Sequence, residues 1–215
     1  MSLEDRMSRF AETDLYVVIT ESCCGERTPE QVLDEVLGAG VGLVQLREKH
    51  LDDATLLQRA GLFRERTRDA NALLIIDDRV DVALAVEADG VHLGLEDLPV
   101  EAAKRIAPEL ITGASSHCLD EAKAAQDTGA DYVNIGPIFP TQTKSVPTGA
   151  VGPEMIDTIR PHLRIPFTCM GGIKPDNVGR VLAKGAKHVA VVTAVTAAQS
   201  PYEAALKLRN AIRGM

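Results

Sequence analysis

Four times along the chain a pair of small or turn-forming residues precedes a short apolar run. Gly38-Ala39 leads into Val41–Leu46, Ala88-Asp89 into Val91–Leu93, Gly129-Ala130 into Tyr132–Ile135, and Gly185-Ala186 into His188–Val192. A glycine or other small residue stops a helix, and an unbroken β-branched run suits a strand buried on both faces, as in a parallel sheet. The echo recurs every forty to fifty-six residues or so, room for two βα units per repeat. Four more strands are predicted at Leu15–Thr20, Leu73–Asp77, Ile111–Ser115 and Phe167–Met170. Helices are predicted over Pro29–Leu37, Ala54–Ala70, Val80–Val86, Val100–Ile106, Asp120–Thr128, Pro153–Ile159, Asn177–Ala183 and Tyr202–Ile212. Eight such alternations in 215 residues predict an α/β chain folded as a (β/α)8 TIM barrel. A doubly wound open sheet is the main competitor, but no Gly-x-Gly-x-x-Gly follows the first strand. No linker or low-complexity run divides the chain. It therefore reads as one barrel domain over residues 15–215, preceded by an N-terminal extension over residues 1–14.

A barrel sorts its residues. Those after the C-terminal end of a strand face the site, and those just before a strand lie on the stabilising face. Asp89 and Asp131, each just before a strand, are thus expected to be structural. The first site-face feature is Gln45, Arg47 and Lys49. Side chains two apart in a strand share a face, so two cations and an amide converge where an apolar strand ends. Grouped charge of this kind asks for an anion. The alternative is a strand tip emerging into water, neutralised by Glu48 and the helix that follows.

Other polar groups end the remaining strands. Asp77 and Asp78 follow the third strand and Asp97 the fourth. Such carboxylates suit Mg²⁺, which takes one or two of them together with water and substrate phosphate oxygens, and they equally suit helix N-caps. Ser115 and Ser116 end the fifth strand. The long segment Pro137–Gly152 after the sixth carries Thr141, Gln142, Thr143 and Lys144, and its length suits a functional loop such as a lid. Gly171-Gly172 and Val192-Thr193 end the last two strands, where barrels commonly hold a phosphate on backbone N–H groups; a tight turn is the other use of the glycines. The histidines at 50, 92, 117, 162 and 188 form no metal-ligand spacing, and His117 reads as a satisfied polar residue.

The net charge of −8 argues against a general affinity for nucleic acid or anionic membrane. No apolar stretch is long enough to span a bilayer, and Met1–Thr13 is charged where a signal peptide would be apolar, so a soluble cytoplasmic protein is expected. Cys23, Cys24, Cys118 and Cys169 lack metal-site spacing and read as reduced thiols. The expected partners are small molecules; a homo-oligomer is compatible with the sequence.

Four segments carry a specific likeness: Gln45-Leu46-Arg47-Glu48-Lys49, Ala88 to Gly94, Gly136 to Lys144, and Gly171-Gly172-Ile173. With them the chain resembles the thiamine-phosphate synthases, in a family that also includes the TenI-type thiazole tautomerases. The likeness runs from Leu15 to the last helix. It implies a Mg²⁺-dependent transferase that joins hydroxymethylpyrimidine diphosphate to hydroxyethylthiazole phosphate, releasing pyrophosphate. It also implies roles. Gln45, Arg47, Lys49 and Lys144 would contact the diphosphate, within substrate-binding segments that take in Leu46, Glu48, Asp77 and Gln142. Asp78 and Asp97 would hold Mg²⁺. Ser115 would lie beside the pyrimidine and its diphosphate, and Thr141, Thr143, Gly172, Val192 and Thr193 would hold the thiazole phosphate. Arg47, Lys49, Ser115 and Lys144 would be the catalytic set.

Two positions depart from the family pattern: Asp77 stands where Asn is usual, and Leu95 where Gln is usual. A carboxylate there is expected to weaken diphosphate binding unless Mg²⁺ or Lys49 compensates. The tautomerases use a histidine in the loop after the sixth strand. This chain has Pro137 there and keeps both Asp78 and Asp97, which favours the synthase. A barrel that binds thiazole phosphate without catalysis is the third reading.

Overall fold

The computed structural model describes residues 1–141, 143 and 149–214. Eight parallel strands follow one another around a closed ring: β1 (Leu15–Ile19), β2 (Leu43–Leu46), β3 (Leu73–Asp77), β4 (Gly90–Leu93), β5 (Ile111–Ser116), β6 (Tyr132–Ile135), β7 (Phe167–Met170) and β8 (His188–Val191). The ring closes where Tyr16 of β1 pairs with Ala190 of β8. The predicted barrel is thus the fold, with strand limits within two residues of those expected.

Around the ring lie α2 (Pro29–Gly38), α3 (Asp53–Asp69), α4 (Val80–Ala85), α5 (Val100–Ile106), α6 (Leu119–Asp127), α7 (Glu154–Ile159), α8 (Val178–Leu182) and α10 (Pro201–Arg213). Their starts follow local chemistry. In α2, Thr28 accepts a hydrogen bond from the Gln31 amide while the Gln31 side chain accepts one from the Thr28 amide, and Pro29 fills the first turn, where no N–H is needed. In α3, Asp52 caps the Thr55 amide. No described helix is long and apolar enough to cross a membrane, and the four cysteines are free thiols.

Period-two alternation divides each strand between two cores. Leu15, Val17 and Ile19 of β1 face outward into the layer between strands and helices, with Val44, Leu46, Leu74 and Ile76. Tyr16 and Val18 face inward with Leu43, Leu73, Ile75, Ile111, Tyr132 and Ala190. Both faces are therefore buried, which is why the strands read as apolar runs.

Two helices lie outside the predicted set. Helix α1 (Leu3–Ala11) closes the N-terminal end of the barrel. Its two buried side chains, Arg6 and Phe10, lie one turn apart. Phe10 stacks on Tyr132 at 4.9 Å between ring centroids, and Arg6 donates to the Glu109 carbonyl at 2.6 Å. The charged composition of Met1–Thr13 conceals this because only Leu3, Met7 and Phe10 turn apolar groups to the core. The short α9 (Thr193–Thr196) begins directly after β8.

The two aspartates that precede strands are structural, as expected. Asp89 is fully buried, accepts from the Leu74 amide at 2.9 Å and from Arg64 at 2.8 Å, and has Arg6 at 3.6 Å. Asp131 accepts from the Thr112 amide at 2.7 Å and from Lys104 at 2.5 Å. Each ties a strand to a surrounding helix.

Inside the ring, Gly113 makes room for the ring of Tyr132: a Cβ at Gly113 would lie 2.1 Å from Tyr132 Cζ. Because that ring is fully buried between Phe10, Tyr16 and His92, it has nowhere to move. Gly113→Ala is therefore expected to lower the unfolding free energy by about 1–3 kcal/mol through overpacking, measurable as a shift of the urea midpoint. An unchanged midpoint would show that Tyr132 can relax.

Candidate active site

The inward side chains end, at the C-terminal mouth of the barrel, in a cavity of about 1070 Å³ including its open mouth. The floor is a chain of hydrogen-bonded side chains. Gln45 Nε2 donates to the Tyr16 hydroxyl at 2.9 Å, which lies 3.1 Å from the Tyr132 hydroxyl. That hydroxyl lies 3.0 Å from His92 Nδ1, and His92 Nε2 lies 3.0 Å from Ser115 Oγ. Thr168 donates to Asn134 Oδ1 at 2.7 Å alongside. Burial, and then the neighbouring phenol, hold the Tyr16 pKa well above the usual tyrosine range; burial likewise raises that of Tyr132. Both phenols stay protonated.

Charge collects on one side of the mouth, where β2, β3 and β4 end. Arg47 Nε lies 3.4 Å and Lys49 Nζ 3.2 Å from Asp77 Oδ2. Lys49 also pairs with Asp78. Asp78 adopts a left-handed backbone, φ 60°, uncommon for a residue with a side chain, and its amide bonds to the His92 carbonyl at 2.8 Å. Its carboxyl shares a hydrogen bond with Asp97, whose Oδ2 accepts from the Gly94 amide at 2.7 Å. Burial first, and then the Asp77 charge, push the Asp78 carboxyl up to about 6. For Lys49, burial works to lower the pKa, but Asp77 and Asp78 outweigh it and the ammonium stays charged above its usual range. Asp77 Oδ2 is buried and, despite its two cationic neighbours, receives no well-aligned hydrogen bond. The expected anion for Arg47 and Lys49 is thus at hand within the chain.

Elsewhere on the mouth, two to four strands round the ring from that cluster, lie Gly171 and Gly172 after β7 and Val192 and Thr193 after β8. Both glycines have positive φ, 101° and 63°. A Cβ at Gly172 would meet the Pro140 carbonyl at 2.6 Å, and one at Gly171 would meet Pro137. The glycine pair therefore forms a tight turn against the segment after β6, and the same turn forms a wall of the cavity. Thr141 and Thr143 line the wall beside it, their hydroxyls 3.3 Å apart.

A family model described as "Thiamine monophosphate synthase" matches residues 15–195. A thiamine-phosphate synthase of Moorella thermoacetica is 44% identical over 200 residues, covering 93% of this chain and 95% of the relative. One from Dictyoglomus thermophilum is 41% identical over 214 residues, covering 99% and 95%. The solved structure of a thiamine phosphate pyrophosphorylase from Pyrococcus furiosus superposes with a TM-score of 0.87 at 39% identity, covering 94% of this chain and 96% of the other. The chain belongs to the thiamine monophosphate synthase family. It is accordingly a transferase of thiamine biosynthesis, as the motifs led one to expect.

Against that family expectation, most of the predicted site residues surround one cavity: Gln45, Arg47, Asp77, Ser115, Thr141, Thr143, Gly172, Val192 and Thr193 all line it. Lys49, Asp78 and Asp97 stand at its charged rim through the contacts above. Gln142 and Lys144 lie outside the described residues. Two others face away from substrate. Leu46 is fully buried in the outer core, because it has the opposite parity to Gln45. Glu48 is turned outward by the same alternation, accepting from the Glu21 amide at 2.8 Å and from Arg59 at 3.1 Å. It does not neutralise Arg47 or Lys49. Leu95, in place of the family's usual glutamine, is 57% exposed.

Tyr16, His92, Tyr132 and Asn134 were absent from the predicted set although each has an inward position in its strand. Tyr132→Phe would leave Tyr16 and His92 short of a partner and is expected to cost about 1–2 kcal/mol of stability. In a double-mutant cycle with Tyr16→Phe, the pair is expected to cost less than the sum of the single changes, because both remove the same bond. Strict additivity in chemical denaturation would show the two hydroxyls to be uncoupled.

Proposed function

We propose that this site joins hydroxymethylpyrimidine diphosphate to hydroxyethylthiazole phosphate, giving thiamine phosphate and pyrophosphate. The observation that carries the reading is the placement of two separate anion-suited walls around one cavity floored by a hydrogen-bonded chain of polar side chains. Arg47, Lys49 and the aspartates stand at the ends of β2 to β4; the glycine turn, Thr141, Thr143 and Thr193 stand on the other wall. Two substrates anchored by their phosphates on the separate walls meet between them, above His92 and Ser115. Such orientation can supply several kcal/mol, up to about 10 in the best cases.

The chemistry balances without a base. The bond from the pyrimidine methylene to the diphosphate oxygen breaks, its electron pair leaving with pyrophosphate, and the lone pair of the thiazole nitrogen forms the new C–N bond. The product nitrogen carries the positive charge, so no proton need be removed. Arg47 and Lys49 stabilise the charge that accumulates on the leaving oxygens. Ser115, held by His92, sits where it can hydrogen-bond the pyrimidine or its diphosphate. Lys144 and Gln142 are assigned to the diphosphate side by the family likeness.

The residues also suit Mg²⁺. Asp78 and Asp97 offer adjoining carboxyl oxygens, and the oxygen of Asp77 lacks a well-aligned donor. Hard oxygen donors on few carboxylates, leaving room for phosphate oxygens, match what this cation takes. Asp78 and Asp97 would hold it, and when bound it would neutralise charge on the departing pyrophosphate. A cytoplasmic setting and small-molecule partners fit the acidic chain and its cavity.

Purified protein supplied with both substrates is expected to form thiamine phosphate with Mg²⁺ and to lose this activity in EDTA. Arg47→Ala is expected to lower kcat by roughly 10²–10³-fold, as for loss of a preorganised charge-stabilising group. Binding of thiazole phosphate without any product would move the assignment to a binding role; isomerisation of a thiazole carboxylate phosphate would move it to the tautomerases.

A further inference from the structure

Resting on the diphosphate reading above, we propose that Asp77 is an internal counter-ion that occupies the diphosphate's cations, so that the site accepts a diphosphate only together with a divalent cation. Its Oδ2 lies between Arg47 Nε and Lys49 Nζ at 3.4 and 3.2 Å, and its side chain is 8% exposed. It lines the cavity at the place where an incoming anion would meet those two cations. Asp78 takes up Lys49 from the other side. Asp97 adjoins the group through its hydrogen bond with Asp78.

A multiply charged phosphate entering alone would have to displace Asp77 from both cations and leave that carboxylate buried with nothing to balance it. Breaking a buried ion pair in this way is costly. A divalent cation held by Asp78 and Asp97 would give the displaced carboxylate a partner. Arg47 and Lys49 are then free to turn to the phosphate oxygens. The poor alignment of the Asp77 contacts is what permits exchange: the carboxylate is held by charge and not by a bidentate fork, so it can be released when a better partner arrives. Asp77 is thus a specificity-determining residue, selecting metal-complexed diphosphate over the free anion.

The test is calorimetric titration of inorganic pyrophosphate into the full chain, with EDTA and with Mg²⁺, for the native protein and for Asp77→Asn. The variant keeps the shape and removes the charge. In EDTA the Asn variant is expected to bind roughly tenfold or more tightly than the native chain, the scale of one partly screened charge next to two cations, while affinities in Mg²⁺ converge. Equal affinities in EDTA would overturn the inference and leave the diphosphate site standing. Absence of pyrophosphate binding to either protein in either buffer would overturn the diphosphate reading as well. Thermal melting checks folding, and Asp77→Ser, read the same way, decides the question if the Asn chain does not fold.

Discussion

Closure of eight short parallel strands is the constraint from which the rest of this molecule follows. A parallel ring leaves every strand's C-terminal end at one mouth, and its two buried faces give each inward side chain only the barrel interior or that mouth to occupy. The interior is therefore filled in order. Phe10 and Tyr132 close the bottom, the hydroxyls of Tyr16 and Tyr132 reach the middle, and the charged groups begin only where Gln45 gives way to Arg47 and Ile75 to Asp77. Polarity rises along the strand direction because only the mouth can hydrate or pair a charge.

The aspartates show how position along a strand decides what one residue type does. Asp89 and Asp131, before their strands, are held by backbone amides and by cations from the surrounding helices or the N-terminal helix; these bonds join secondary elements. Asp77, Asp78 and Asp97, after their strands, are crowded against one another, with one carboxyl pushed up to about 6 and one oxygen lacking an aligned donor. The first arrangement lies away from the cavity, and its one oxygen without an aligned donor, Asp89 Oδ1, has Arg6 at 3.6 Å. The second leaves bonding capacity toward the cavity, and unsatisfied capacity at a mouth is the signature of a site that takes a ligand.

Much of this was legible from the sequence because burial on both faces and small-residue helix stops are local signals. The strands were found for that reason, and the spacing of Gln45 and Arg47 placed both in the cavity. Treating the 45–49 segment as a unit brought in Leu46 and Glu48, which the same alternation sends outward. Extending the rule to β1, β4 and β6 would have found Tyr16, His92, Tyr132 and Asn134, each two residues from another inward position. They were overlooked because a polar side chain in an apolar run does not show whether its partner is a ligand or another strand. The N-terminal helix was missed for a related reason: Phe10 acquires its value from Tyr132 and His188, each more than a hundred residues away.

The hydrogen-bonded floor and the charged rim answer different needs of the proposed reaction. In it, a cationic pyrimidine fragment forming above the floor would be diverted by a free nucleophile there. The phenols are held protonated by burial, and His92 has its two ring nitrogens engaged by Tyr132 and Ser115, so the set fixes the cavity's shape with its polar atoms paired to one another. Charge at the rim is gathered on the side to which the proposal assigns the diphosphate, and there Asp77 pairs the cations. Separation of the two regions by one step of the strand alternation, from Gln45 to Arg47, lets a single β-strand serve both.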